Sequence, residues 1–346
     1  MGKVRFGIVG LGIGRVQGNA VKRNPRGEVV AICDLIEWKM EEYAKELGKD
    51  VKRYVRFQEM LADPEVDAVF VATGNQMHVP VALEVVKAGK HVLCTKPLSD
   101  DARAAAELVK AAEASSVVNQ MSLSLRFSGT VQYLGAMSRS GEFGKLYYAR
   151  ARSVRRSGIP NWADHFVMEG GGAFRDMGVH VLDSSWWLLG NQEPVSALGA
   201  AGAHFGPRGL GYWDFAPGTE ELAKAFKADD FGAGLIRFAD GSAIQVESHW
   251  ASHQPEELNI ELFGTEAGAR LNPTTVYRTV NGAPADTTLK PNDIDGFYGV
   301  ADHFIACILD GVPCQAPLRH GLTVQRMMEA VLESGRTGGE VRLDKA

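Results

Sequence analysis

Between Val4 and Met121 the chain alternates short apolar runs with longer segments of helical period. Val4–Val9, Val29–Cys33, Ala68–Ala72, His91–Cys94 and Val117–Met121 are rich in valine and isoleucine and lack polar alternation. Strands buried on both faces of a parallel sheet have this pattern. Helical stretches lie between them at Glu37–Leu47, Phe57–Ala62, Val79–Ala88 and Asp101–Ala114. Gly48 and Gly89 are placed as helix stops, and Ser99 or Asp100 as a cap for the last stretch. Strand and helix in this succession predict right-handed crossovers and a doubly wound parallel sheet over residues 1–122.

Beyond Ser122 the pattern changes. A helix is predicted over Thr130–Arg139, then a long half-exposed strand over Lys145–Arg156. Gly232–Phe238, Ala243–Trp250, Leu258–Phe263 and Thr275–Val280 alternate in polarity, with the turn pairs Asp240-Gly241 and Asn281-Gly282 between them. These are hairpin signals, so residues 123–346 are expected to form an α+β domain with an open, mostly antiparallel sheet. Helices near Gly178–Leu189, Val300–Leu309 and Leu322–Ser334 are expected to cover one face. An uncovered second face of that size predicts a homodimer or homotetramer joined through it. The glycine- and aromatic-rich stretch Gly202–Pro217 reads as an insertion, either a lid or an oligomer contact.

A length of 346 residues suits two domains, and 45% hydrophobic with 23% charged residues is ordinary for a soluble protein. A formal net charge of −5 gives no reason to expect nucleic acid or an anionic membrane as partner. No apolar run approaches the roughly 18 residues of a membrane helix. Met1 leads almost directly into Val4–Val9, so no secretory leader is expected and the protein is placed in the cytoplasm. The four cysteines, Cys33, Cys94, Cys307 and Cys314, show no Cys-x-x-Cys spacing. Cys33 and Cys94 end apolar runs and read as reduced core residues.

Candidate chemistry begins where the first strand ends. Gly10-Leu11-Gly12-Ile13-Gly14 opens a helix, and a turn without β-carbons lets backbone N–H groups approach a pyrophosphate. Asp34, about twenty residues on at the end of the second strand, can accept both ribose hydroxyls of NAD. Together they point to a Rossmann domain that prefers NAD, with NADP as the lesser option because a carboxylate repels a 2′-phosphate. The third glycine of the usual fingerprint is due at position 15, where Arg15 stands and could reach a phosphate. Thr73, Asn75 and His78 follow the fourth strand, at the end of the sheet where a nicotinamide lies. Asn75 also reads as a plain helix cap. Lys96-Pro97 follows the fifth strand, and its lysine is either a snorkelling surface residue or a cation in the same crevice. After Gly170-Gly171-Gly172, the residues Asp176, His180 and Asp183 recur at i, i+4 and i+7. That face is solvated, catalytic or metal-binding on spacing alone, and the lack of further His or Cys nearby argues against metal.

These spaced motifs resemble the Gfo/Idh/MocA family, which includes glucose–fructose oxidoreductase and inositol dehydrogenases. The likeness covers essentially the whole length, including Arg126-Phe127 and Glu329-Ala330…Ser334. Thr95 stands for the usual Glu before the lysine, and Gly74 for the usual Pro before Asn75. The resemblance implies that Lys96, Asp176 and His180 line the reaction centre, and that the Lys96–Pro97 bond is cis. It implies hydride transfer between NAD(P) and a secondary hydroxyl of a sugar, inositol or related polyol. Arg126, Arg156, Trp162, Asp164 and His165 are then candidates for substrate contacts. An NAD-retaining glycoside hydrolase, lyase or epimerase would use the same residues; a non-catalytic NAD(P)-sensing regulator would have no need of them.

Overall fold

In the computed structural model, which describes residues 2–162, 166–168 and 170–343, the early apolar runs pair as a six-stranded parallel sheet. Its strands are β1 (Val4–Val9), β2 (Gly27–Cys33), β3 (Lys52–Tyr54), β4 (Ala68–Val71), β5 (His91–Thr95) and β6 (Asn119–Ser122). They lie in the order β3-β2-β1-β4-β5-β6, and helices α1 (Ile13–Arg23), α2 (Glu37–Leu47), α3 (Phe57–Leu61), α4 (Asn75–Lys87) and α5 (Ala102–Glu113) connect them. The order reverses between β1 and β4, so a crevice opens at their carboxyl ends. Lys-Arg-Tyr of β3 carries no apolar signal, which is why sequence pattern alone passed over it. The cap of α5 is Asp101, whose carboxylate accepts the Arg103 N–H at 2.8 Å, rather than Ser99 or Asp100.

The second sheet has nine strands in the order β14-β13-β12-β11-β7-β10-β9-β8-β15. They are β7 (Leu146–Val154), β8 (Pro194–Gly202), β9 (Phe231–Phe238), β10 (Ala243–His249), β11 (Glu257–Gly264), β12 (Ala267–Arg270), β13 (Thr275–Val280), β14 (Ala283–Thr288) and β15 (Val341–Arg342). All pairs are antiparallel except β7 with β10. Helices α6 (Gly129–Arg139), α7 (Val179–Leu188) and α8 (Glu220–Ala225) belong to this part of the chain. On β7 the residues Ala149, Ala151 and Ser153 are buried, while Arg150 and Arg152 alternate outward. The outward residues meet acids of neighbouring strands: Arg150 pairs with Glu261 at 2.8 Å, and Arg152 with Glu247 and Glu257. The open face therefore carries balanced charge, and is more compatible with water than its size alone suggested.

Helices α9 (Gly296–Asp310) and α10 (Leu318–Thr337) complete the chain. The expectation that residues near Val300–Leu309 cover the second sheet is corrected here. Residues 2–127 and Ile294–Gln325 form one compact unit, and Ser128–Asp293 with the residues from Arg326 onward form the other. Phe304 of α9 packs on Phe6 of β1 with ring centroids 6.0 Å apart, and Gln17 donates to the Phe297 carbonyl at 3.0 Å. Sequence carries no signal for this return, because an amphipathic helix shows that it has a partner but not which one.

One turn in the second unit sets the start of α7. Gly172 has φ of +114°, and a β-carbon there would lie 2.1 Å from Asp229 Oδ1. Asp229 Oδ2 accepts the Phe174 N–H and its carbonyl accepts the Ala173 N–H, both at 2.9 Å. Burial pushes the Asp229 carboxyl up to about 6, against the lowering effect of the Phe174 N–H. A raised acid binds its proton more tightly folded than unfolded, so its stabilising contribution is complete below about pH 4 and is lost as pH rises through about 6. Asp229→Asn keeps an acceptor for Phe174 and removes the titration. Its urea midpoint, relative to wild type, is expected to rise between pH 4 and 7. A pH-independent difference would overturn this account.

Candidate functional site

Gly10 has φ of +90°, and a β-carbon there would lie 2.4 Å from the Ala72 carbonyl oxygen. Only glycine lets β1 turn so close to the end of β4. Asp34 holds the turn: Oδ2 accepts the Leu11 N–H at 2.8 Å, and Oδ1 the Ile36 N–H at 3.0 Å. A carboxylate offers about four lone-pair positions, so Asp34 retains acceptor capacity for ribose hydroxyls. Gly12 has open space around it, as a phosphate cradle needs. At Gly14 a β-carbon would be 2.9 Å from Ile8, and at Gly18 2.1 Å from the Tyr43 hydroxyl. The close helix packing expected of a glycine at 15 is thus supplied one residue earlier and one turn later. Arg15 is turned away and pairs with Glu42 at 2.8 Å and Glu46 at 2.7 Å, which corrects its proposed reach to a phosphate. Ile13 is exposed, and Leu35, beside Asp34, is 85% exposed. An apolar rim of this kind fits an adenosine face.

At the end of β4, Thr73 Oγ1 is buried and has no hydrogen-bond partner among the described residues. Such an orphan at the carboxyl end of the sheet fits a ligand amide or hydroxyl. Asn75 begins α4 and is half-buried; its cap position is taken by Gly74, in extended conformation. His78 is 0% exposed, so its assignment as a direct cofactor contact is corrected. Its Nδ1 lies 2.7 Å from the Pro97 carbonyl and its Nε2 2.9 Å from the Thr73 carbonyl. Burial lowers its pKa, and an uncharged ring carries one N–H for these two acceptors. His78 is a strut between the turns that follow β4 and β5. The second turn contains a cis Lys96–Pro97 bond, as expected, and Lys96 directly follows β5, half-buried.

Arg126 is also 0% exposed. Its Nη1 donates to the Gln315 carbonyl at 2.5 Å and to His320 Nδ1 at 3.0 Å. Burial and the charges of Arg126 and Arg319 hold His320 down to about 3, so the ring is neutral and accepts. The expected substrate contact at Arg126 is therefore a buried structural one.

In the second unit, Phe174–Gly178 form a π-turn that runs into α7. Bonding of i to i+5 widens the helix, and such turns are frequent at functional sites. Asp176 and His180 are half-buried, but Asp183 is 1% exposed, so the three do not share one open face. Asp176 Oδ2 accepts the indole N–H of the fully buried Trp250 at 3.0 Å. Arg155, half-buried, lies 4.9 Å over the Trp213 ring; burial lowers its pKa while the charge of Asp176 opposes that. Arg156, chosen from sequence, is exposed, and its neighbour Arg155, which no motif marks, is the residue near Asp176. Strand alternation gave no signal for this, because β7 ends at Val154.

Trp162 is 59% exposed and meets Trp213 edge-on with centroids 5.5 Å apart. Trp213 comes from the Gly202–Pro217 stretch, which is packed back onto the chain. Gly211 accepts the N–H groups of Gly158 and Ile159 at 2.9 Å, and Asp230 Oδ2 accepts three from His204, Phe205 and Gly206. Asp164 and His165 lie outside the described residues.

No helix among the described residues is long and apolar enough to cross a membrane. Residues 4–123 match the profile of an oxidoreductase family with an NAD-binding Rossmann fold, and residues 131–270 that of the GFO/IDH/MocA C-terminal domain. The chain is 27% identical to the D-glucoside 3-dehydrogenase of Escherichia coli (strain K12) over 325 residues, 91% of this chain and 90% of that protein. It is 27% identical to the myo-inositol 2-dehydrogenase of Thermotoga maritima, over 76% of this chain and 73% of that protein. A levoglucosan dehydrogenase structure in complex with NADH shares the fold, with a TM-score of 0.86 and 19% identity over 99% of this chain and 100% of that one. The glycine turn with its acidic partner and these two matches lead to one conclusion: the chain belongs to the GFO/IDH/MocA family and is an NAD-dependent oxidoreductase.

Proposed function

We propose that the protein transfers hydride reversibly between NAD and a secondary hydroxyl of a sugar, cyclitol or related polyol, with Lys96, Asp176 and His180 at the reacting carbon. The observation that supports it most is the Trp250–Asp176 hydrogen bond in a widened helix, one turn before His180 and beside Arg155 and two indoles. A fixed carboxylate, a half-buried imidazole and exposed aromatic faces suit a substrate rich in hydroxyls and C–H faces. The relatives named for glucosides and inositol agree with that class.

Backbone N–H groups of the Gly10–Gly14 turn would hold the pyrophosphate, Asp34 the ribose and Thr73 the nicotinamide half. Bound NAD supplies the hydride acceptor. Oxidising a carbinol also requires loss of the hydroxyl proton, and His180 is assigned as the base because imidazole titrates near neutrality. The Lys96 ammonium stabilises negative charge developing on the substrate oxygen. Asp176, held by Trp250, accepts a substrate hydroxyl or steadies the imidazolium. Trp162 and Trp213 supply stacking faces, and Arg155 with Arg156 supplies hydrogen-bond donors.

A screen of sugars and inositols by NADH fluorescence, with product identification by NMR, tests the reading. Net NADH formation is expected; turnover without it would point to an NAD-retaining lyase or hydrolase. Lys96→Met and His180→Asn are expected to lower kcat by about 10²–10⁴ with NAD affinity nearly intact. Asp176→Asn should cost less than either if its role is to steady the imidazolium. Normal kcat in both of the first two variants, at unchanged melting temperature, would end the assignment.

Wild-type protein is expected to bind NAD more tightly than NADP, by calorimetry, and Asp34→Ala to narrow the gap. Tighter NADP binding by the wild type would refute the role given to Asp34. We also infer a homodimer or homotetramer through the open sheet face, where Leu198 and Leu235 form an exposed cross-strand pair beside the ion pairs. A monodisperse monomer at micromolar concentration in light scattering would exclude it.

A further inference from the structure

The first unit contains a cluster that the oxidoreductase reading does not use. His303 and Cys307 stand four residues apart on α9, and the chain turns back at Gly311, with φ of +68°, to bring Cys314 beside them. A ring nitrogen of His303 and the two sulfurs all lie within 4.8 Å of one another, with His303 Nε2 3.4 Å from Cys307 Sγ. Cys307 is 5% exposed and Cys314 is half-buried.

Soft donors at this spacing suggest either a metal or a reactive thiol pair, and the hydrogen bonds favour the second. The Gln315 N–H donates to His303 Nε2 at 2.9 Å, so the lone pair that would bind a metal is already engaged. The Cys314 thiol donates to Gln120 Oε1 at 3.5 Å. Closed zinc sites take four ligands, and among the described residues no fourth His, Cys, Asp or Glu joins the group. The cluster is thus satisfied as it stands.

We propose that Cys307 and Cys314 are a redox modification site, at which a peroxide converts the two thiols into an intramolecular disulfide. The Cys307 thiolate attacks one peroxide oxygen and the O–O bond breaks, giving a sulfenic acid and hydroxide, which takes up the proton released by Cys307. Cys314, as thiolate, then attacks the Cys307 sulfur; the S–O bond breaks, and the hydroxide that leaves takes up the proton from Cys314. Two thiols lose two electrons in all, and one peroxide becomes two waters. The Cys314 side chain beside it holds the Cys307 thiol well below the ordinary thiol range, and Cys314 is pushed up in return. A low-pKa cysteine next to a resolving partner is the arrangement such chemistry needs. Cys33 and Cys94 are the internal controls: they are as buried as Cys307, but burial pushes each of these thiols up to about 12, with no neighbouring group among the described residues to lower it.

The test treats the intact, fully reduced protein with hydrogen peroxide and follows thiols by titration in denaturant and by peptide mapping. Two of the four thiols should disappear together, at least roughly tenfold faster than Cys33 and Cys94. A peptide linking Cys307 to Cys314, lighter by two hydrogens, should appear, and dithiothreitol should reverse it. Cys314→Ser should leave Cys307 as a sulfenic acid that dimedone traps, and Cys307→Ser should leave Cys314 a thiol. If either variant folds poorly, the wild-type peptide map decides alone. Equal loss of all four thiols, no loss of this pair, or stoichiometric bound zinc that shields it would overturn the proposal.

Discussion

The first unit depends on the missing β-carbon at Gly10. Its backbone runs close enough to Ala72 that any side chain would overlap the carbonyl oxygen, and the Asp34 carboxylate fixes the turn from the far side. That contact joins the ends of β1, β2 and β4, the three strands that border the crevice. The second unit repeats the device at Gly172, where a positive φ and the Asp229 carboxylate place the first residues of the site helix. In both places a carboxylate organises backbone N–H groups, and a glycine permits the approach. Asp176 and His180 sit on helical turns just beyond Gly172, while Lys96 lies in the cis-proline turn that directly follows β5.

Much of the fold was legible because its strands are either fully buried or cleanly alternating. β1, β2, β4 and β5 have no polar alternation to obscure them, and the alternation of β9, β10 and β11 marks the second sheet. Strands without such a pattern went unseen: β3 is polar, while β8, β12 and β14 are made largely of small or exposed residues. For the proposed site, spacing alone left Lys96, Asp176 and His180 open between surface and reactive roles, and it was the resemblance that singled them out. Arg126 and His78 were misjudged for a shared reason. A polar residue within a motif looks like a ligand contact, but here each satisfies buried carbonyl groups instead. Burial is a property of three-dimensional packing that no local pattern encodes. Arg155 and Trp213 were missed in the opposite sense, since they meet only because a distant stretch folds back onto residues 157–159.

The return of Ile294–Gln325 to the first unit has a consequence for how the protein is made. Phe6, near the start of the chain, finds its aromatic partner Phe304 only after nearly all of the polypeptide has been synthesised. Domains tend to fold as they leave the ribosome, at about 5–20 residues per second. Here the early strands must wait for Ser128–Asp293 to be translated, so their apolar surface stays open to solvent for many seconds. The Ser128–Asp293 segment of the second unit can be completed sooner in outline, although the residues from Arg326 onward arrive at the end. A nascent chain arrested before residue 294 would thus present a Rossmann sheet lacking one of its covering helices, which is the form that chaperones would meet during translation.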